Sequence, residues 1–448
     1  MHGHVGGVQS RTSSGVPHGK PMTLGEALRP QGGLPMSHET QATDMIEAQK
    51  QVLMEITTDH LETGLRNVPV GYCTTSSVDP QKGLFYLGMP VEDLAEYDPE
   101  AVIFLLLYKH LPSDAEKATF AAELRKRQAI DPAVLKALHA LPRSGHPMKW
   151  LLAGLSTLGM TGVTNDWRED CLNVIARIPA LVAAIFRIRS GWGDPIAARD
   201  DLGYMENFVH MLGVPGLSAE GTKALTHLMR VFEVVHLDHG GGNLSTFIGK
   251  AVASGHADMY ESLVGAMAGL AGPLHGRANQ ECLEFIQDCV RRVNGKIDSD
   301  SVGSMLKQKL ANKEIIYGFG HAVLRVEDPR ARALRKVGAE LCPDDVNFCM
   351  VKLLAEVGPE VLKTNPKISN PYPNVDSTSG SLLMFCGLAD PEYYTVLFGL
   401  SRCVGIAAQI VYERVEARGG RGTPIIRPKY LYSLTGTATG PVTASSAG

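Results

Sequence analysis

One arginine stands inside a run of apolar residues near the end of the chain. Tyr393–Tyr412 reads YYTVLFGLSRCVGIAAQIVY, and Arg402 is its only charge. A guanidinium on a core helix either pairs with a buried carboxylate or points into a closed pocket to hold a ligand carboxylate through its planar fork. Three histidine-bearing segments and one aspartate offer further chemistry. In GPLHGRANQE, Gly272 ends one helical pattern and Pro273 is expected at the first position of the next, placing His275 in a first turn. The positive end of a helix disfavours an imidazolium, so a histidine there is neutral and can donate N–H to a carbonyl oxygen. The plain alternative is a ring that only satisfies neighbouring backbone. In HLDHGGGN, His236 and His239 are spaced i, i+3, as metal ligands can be, but no third ligand follows, and the glycines favour close approach of backbone to something small. In YGFGHAVLRVEDPR, Gly318 and Gly320 precede His321 and Ala322, and Arg325 and Arg330 follow. The spacing is not that of a dinucleotide loop, and an ordinary glycine turn is the alternative. In PYPNVDSTSG, Asp376 sits in a turn-rich loop before an apolar stretch, where capping a helix is the modest alternative to acid–base work.

Elements must position these groups, and the composition says which kind. The chain has 448 residues, 44% of them hydrophobic and 20% charged, enough for a large core. Aromatics are only 6%, which favours helices over a β-sandwich. Helical signals dominate: Asp98–Pro99 and Asp131–Pro132 pair an N-cap with a proline at the first helical position, Ser113–Asp114 opens another helix, and Arg168–Arg189 reads as a helix broken at Pro179. Residues 41–56 also read as a helix. The exception is 68–90, which reads as a small β-hairpin. Residues 1–40 and 433–448 are expected to be a flexible segment and a disordered tail. The fold class is all-α with a minor β element.

Forty-three basic against forty-seven acidic residues give a net charge of −4. No broad basic field exists for nucleic acid or an anionic membrane, so any anion must be held by a few placed cations. The eight cysteines include no CxxC pair and read as reduced thiols. No purely apolar run of membrane-spanning length occurs, and no metal site is expected.

Taken together, GPLHGRANQE, YGFGHAVLRVEDPR, PYPNVDSTSG and LFGLSR, with HLDHGGGN before them, resemble the citrate synthase family, and the GGGN and PNVDSTSG forms resemble its longer, mitochondrial-type branch. The similarity runs over roughly 60–432. It implies an all-α fold with a large helical domain (41–275 and 377–432) and a smaller one (276–376) that closes over the substrates, in a homodimer. It implies condensation of acetyl-CoA with oxaloacetate to citrate and CoA, with 2-methylcitrate synthesis from propionyl-CoA as the alternative. It makes Asp376 the base at the acyl α-carbon, His275 the donor to the thioester oxygen and His321 the group polarising the oxaloacetate carbonyl. It makes His239, Arg330 and Arg402 binders of the oxaloacetate carboxylates. It also implies that Arg427, in the RPK segment, reaches across the dimer interface, and that Gly318, Gly320 and Ala322 belong to the CoA loop. No permanently bound cofactor is implied. The chain departs from the family in the loop Ala417–Thr423, which makes Arg418 and Arg421 competitors of Arg427, and in Tyr317, where the branch often has proline. Arg187, Arg189 and Arg325 are candidates for CoA phosphate contacts. A bacterial cytoplasm is the expected compartment, with the mitochondrial matrix as the alternative.

Overall fold

Of the helix starts that the sequence indicates, those at Ser113 and Asp131 carry side-chain caps, whereas Asp98 takes the cap position without a side-chain cap bond. The structure, a computed structural model, describes residues 52–432; the readings on 1–40 and 433–448, and on 41–51 of the first expected helix, lie outside them. The chain falls into two units, Met1–Pro69 and Val70–Gly448. In the first, residues 52–56 are not helical, and a 3₁₀ turn spans Thr58–Glu62.

The second unit opens with three short antiparallel strands, β1 (Ser76–Asp79), β2 (Gly83–Tyr86) and β3 (Met89–Pro90), in the order β1-β2-β3. The expected hairpin therefore carries a third strand. Helices follow: α1 (Val91–Leu94), α2 (Pro99–Tyr108), α3 (Asp114–Arg127), α4 (Pro132–His139), α5 (Pro147–Gly162), α6 (Trp167–Ser190), α7 (Tyr204–Leu212) and α8 (Ala219–His236). Then come α9 (Leu244–Ser254), α10 (Met259–Leu270), α11 (Ala278–Arg292), α12 (Ser299–Ala311), α13 (Pro329–Leu341), α14 (Val346–Leu362), α15 (Asp376–Phe385) and α16 (Tyr394–Val411). Ser113 caps α3 in a capping box with Glu116, and Asp131 accepts from Ala133 N–H at the start of α4.

Two local readings are corrected. Pro179 does not break its helix: α6 runs unbroken from Trp167 to Ser190. A proline removes the N–H that would bond the carbonyl four residues earlier, here Ile175. The Tyr204 phenol on α7 donates to the Ile175 oxygen at 2.7 Å and supplies the missing bond. Nor does Pro273 start a helix. Residues 271–277 form a turn and α11 begins at Ala278.

Every residue of α16 is buried. It packs against α2, α5, α6, α8, α9, α10 and α11, so it is the axis of the core. Both α6 and the segment around α16 are long and apolar enough to cross a membrane, yet they lie buried among the other helices. Burying a single face of each surrounding helix against this axis supplies the hydrophobic driving force. The position of α16 is fixed against the turn after α8. Gly405 N–H donates to the Leu237 carbonyl at 3.2 Å, and a Cβ at Gly405 would stand 2.2 Å from that oxygen. All eight cysteines are free thiols.

Candidate active site

Four segments far apart in sequence converge on one region, and buried polar bonds hold them there. The turn 237–243 is anchored through Asp238, which is fully buried. Its carboxylate accepts from Thr75 Oγ1 (2.5 Å), Ser76 Oγ (2.7 Å) and Gln409 Nε2 (2.8 Å), tying β1 and α16 to the turn. Asn243 caps α9 through Thr246 N–H and donates its amide to the His239 and Gly240 carbonyls. His239 is thereby fixed, and its Nε2 is buried without a partner. Burial and the charge of Arg330 hold its pKa well below the ordinary histidine value. His236 faces elsewhere. Its ring stacks on Phe232 and its Nδ1 donates to the Phe232 carbonyl at 2.8 Å, so the i, i+3 pair does not act together.

The turn carrying His275 closes through His275 N–H to the Gly272 carbonyl (3.0 Å) and Gly276 N–H to the Leu270 carbonyl (3.1 Å). The helix-end argument for its neutrality therefore does not apply. The neutral ring has another cause: burial, followed by the charge of Arg402, pushes its pKa down to about 4. Ser245 meets Nε2 with its backbone N–H (3.3 Å) and its hydroxyl (2.9 Å). The N–H calls for a lone pair at Nε2 and so for the ring proton on Nδ1, with the Ser245 hydroxyl proton shared between Nε2 and Asn243 Oδ1, which it also reaches at 2.9 Å.

The 317–328 loop is zipped to 370–376. Gly320 N–H donates to Tyr372 O (3.0 Å), Asn374 N–H to Gly318 O (2.9 Å) and Asp328 N–H to Pro373 O (3.1 Å). Gly318 is at φ +79°, and a Cβ there would lie 2.8 Å from Cys282 Sγ and 3.0 Å from Ser377 Cα, so only glycine fits. Ala322 is exposed at the mouth of this loop. His321 Nδ1 accepts the N–H groups of Val323 (3.0 Å) and Leu324 (2.9 Å), which assigns its proton to Nε2. Burial and Arg330 push its pKa down to about 4. Its ring centroid is 5.1 Å from that of His239.

Asp376 is the first residue of α15, not its cap; Val375 takes the cap position. Burial pushes its carboxyl up to about 7, against a smaller opposing pull from Arg330. Arg330 is buried near the start of α13 and paired with Asp328 through Nε (3.0 Å) and Nη2 (2.7 Å). Arg402, 1% exposed, forms no ion pair among the described residues. Its Nε donates to the His236 carbonyl at 3.1 Å, its guanidinium lies 4.8 Å from the Phe398 ring centre, and its Nη2 has no partner. Burial pushes its pKa down to about 10.

Not every sequence candidate joins this region. Arg187 is spent on the carbonyls of Trp192, Asp194, Leu212 and Gly213, and Arg189 on Gly145 O and Glu392. Arg325 turns back on the carbonyls of His321, Val323 and Leu324. Arg427 is exposed in the extended segment after the last helix, where Ile426 N–H is held by Ser254 Oγ at 2.9 Å. Arg418 and Arg421 bond within their own loop. Two residues that the sequence reading missed are Ser245, which sets the His275 tautomer, and Asp238, which anchors the turn. Asp238 lies inside a motif already singled out, and its position between two histidines was the available signal.

Two neutral imidazoles with opposite free nitrogens, a carboxyl titrating near neutrality and two buried guanidinium groups form an arrangement chemically able to do general acid–base work on an anionic carbonyl compound. The sequence profile described as "Citrate synthase, C-terminal domain" matches residues 64–429. The mitochondrial citrate synthase of Citrus maxima is 37% identical over 404 residues, covering 85% of this chain and 83% of the relative. The mitochondrial 2-methylcitrate synthase of Yarrowia lipolytica is 34% identical over 403 residues, covering 84% of each. The crystal structure of citrate synthase from Thermotoga maritima superposes with a TM-score of 0.70 at 28% identity, covering 86% of this chain and 98% of that one. The chain belongs to the citrate synthase family.

Proposed function

We propose that this protein condenses acetyl-CoA with oxaloacetate and water to give citrate and CoA, entering the tricarboxylic acid cycle. The observation that carries this reading is the pair of buried, unpartnered nitrogens, Arg402 Nη2 and His239 Nε2, beside the buried guanidinium of Arg330. A buried donor without an acceptor is costly, and a substrate carboxylate supplies the acceptor.

In this reading Asp376 removes a proton from the acyl α-carbon while His275 Nδ1–H donates to the thioester oxygen, where negative charge develops. His321 Nε2–H polarises the oxaloacetate carbonyl for attack by the enol carbon, and His239, Arg330 and Arg402 hold the two carboxylates. Water then cleaves the citryl thioester and CoA departs. The loop with Gly318, Gly320 and Ala322 seats CoA, which is substrate and product; no permanently bound cofactor takes part. A smaller domain, 276–376, closes on the larger and keeps water from the enol. Two copies form a dimer, with Arg427 of each completing the other's cleft. The mitochondrial relatives support the matrix over a bacterial cytoplasm, and subcellular fractionation tests this.

Release of free CoA, followed with oxaloacetate and either acetyl-CoA or propionyl-CoA, tests the reading. The expected result is turnover with a higher kcat/KM for acetyl-CoA, abolished in a folded Asp376→Ala variant. A preference for propionyl-CoA would make the protein a 2-methylcitrate synthase, since one methylene in the acyl pocket is worth only about 1–3 kcal/mol. Wild-type turnover in Asp376→Ala would overturn the assignment of the base.

A further inference from the structure

Among the described residues, no hydrogen bond reaches the Asp376 carboxyl, so its position depends on the backbone of α15. That backbone is held from outside the helix at the Asp376 N–H, which donates to Asn374 Oδ1 at 3.1 Å, and again through Ser379, which α11 contacts. The Ser379 hydroxyl donates to the Val375 carbonyl at 3.3 Å, directly before Asp376. Its single proton being spent there, Ser379 Oγ accepts from Asn279 Nδ2 at 2.8 Å. Asn279 is the second residue of α11, the helix that begins as the His275 turn ends, with Ala278 N–H on the His275 carbonyl. A directed chain therefore runs from the helix following His275, through Asn279 and Ser379, to the peptide that carries Asp376. Asn279 is 1% exposed, Ser379 0% and Val375 5%. Asn279 Oδ1 has no partner, so the Nδ2 bond alone orients this amide.

We propose that Asn279 and Ser379 are positioning residues that hold the Asp376 carboxyl in register with the His275 turn. The inference rests on the reading of those two residues as base and thioester donor, since the base must reach the α-carbon while the donor reaches the oxygen of the same acyl group. Both residues are buried, and in this proposal neither touches substrate. Their bond is buried, where a lost partner leaves an uncompensated polar group, and a misplacement of about 1 Å at a reacting centre costs about a hundredfold in rate.

The test uses the full-length chain with Asn279→Ala, Ser379→Ala and the double variant, each checked for native fold by near-ultraviolet circular dichroism. Each single variant is expected to lose about ten- to a hundredfold in kcat. KM for oxaloacetate should stay within about twofold, because its proposed binders sit on α13, α16 and the 237–243 turn. A primary isotope effect with deuterated acetyl-CoA should grow, as proton removal becomes slower. The double variant should be no worse than either single one, because one chain is broken at two links. If Asn279→Ala does not fold, Ser379→Ala decides, since it removes a single oxygen from α15. A folded Ser379→Ala with wild-type kcat overturns the proposal. So does a parallel loss of kcat and oxaloacetate affinity with the isotope effect unmoved, which marks general loosening. Asp376→Ala keeps the two claims apart. An inactive Asp376→Ala beside an unimpaired Ser379→Ala removes only the positioning role, whereas an active Asp376→Ala removes the base itself.

Discussion

Arg402 is placed where it costs stability. Its guanidinium is buried, one terminal nitrogen is unpartnered, and burial lowers its pKa to about 10. Replacing it with Met should therefore raise the thermal midpoint of the unliganded protein while weakening oxaloacetate binding, a trade expected where function keeps an uncompensated charge inside. KM for oxaloacetate in Arg402→Met should rise about ten- to a hundredfold, the value of a charge-assisted bond of about 1.5–3 kcal/mol, measured by initial rates at saturating acetyl-CoA. Unchanged KM would return Arg402 to a structural role. The titration of Asp376 gives a second prediction. As the proposed base it must be ionised, so kcat/KM should fall about tenfold per pH unit below about 7. His275 and His321, both at about 4, stay neutral through that range and leave the limb to one proton. A midpoint below 5 in the rate profile would remove Asp376 from that part. The stability sign follows separately. The folded chain binds the Asp376 proton more tightly than the unfolded chain, so its ionised form opposes folding above about pH 7. Asp376→Asn should raise the midpoint at pH 8, and the gain should shrink as pH falls from 7 toward 4. The two histidines act oppositely: their contribution is complete above about 6.5 and is lost as pH falls through 4.

At the scale of elements, the site depends on how closely α16 approaches the turn after α8. Gly405 sits three residues past Arg402 and bonds Leu237, two residues before His239. A methyl group there would meet the Leu237 oxygen at 2.2 Å, so Gly405→Ala must push the helix and the turn apart. The expected cost is about 1–3 kcal/mol, seen as a lower midpoint in thermal unfolding, with a raised KM for oxaloacetate because Arg402 and His239 part together. A stable variant of normal KM would show that the turn can yield without moving the site. The same elements show what could be read from sequence. Arg402 stood out because a charge in an apolar helix needs a partner, and His239, His321 and Asp376 stood out because glycine, proline and asparagine turns surround them. The reading failed where a distant residue supplies a bond. Pro179 looked like a break, and only the phenol of Tyr204, twenty-five residues on, lets α6 continue. His275 looked helical because Pro273 favours a helix start, whereas the Gly276 N–H closes back onto Leu270 and delays the helix to Ala278. Arg187 and Arg189 were indistinguishable from ligand-binding arginines until their carbonyl and carboxylate partners were in view.

At the scale of the whole molecule, the cations that matter are few in a chain of net charge −4, and one proposed member lies apart from the rest. Arg427 is exposed, in an extended segment held by Ile426 N–H on Ser254, while Arg330 and Arg402 are buried. An exposed cation adds little to a cleft in its own chain, because solvent screens it; seated in the cleft of a second copy it would be desolvated and worth a charge-assisted bond. In the proposed dimer, two-fold symmetry would make the exchange reciprocal, which permits a test by complementation. Asp376→Ala and Arg427→Ala should each be nearly inactive alone. In a dimer holding one chain of each, one cleft has an intact Asp376 and receives the intact Arg427 of the other chain, while the second cleft lacks both. Random pairing of co-expressed chains gives about half mixed dimers, each with one working site of two, so about a quarter of wild-type activity should return. If Arg427 instead served its own chain, each cleft of the mixed dimer would still lack one residue, and mixing would restore nothing. Co-purification through two different affinity tags isolates the mixed species, whose specific activity should approach half of the wild-type value; activity at the level of the single variants would place Arg427 outside the site of the neighbouring chain.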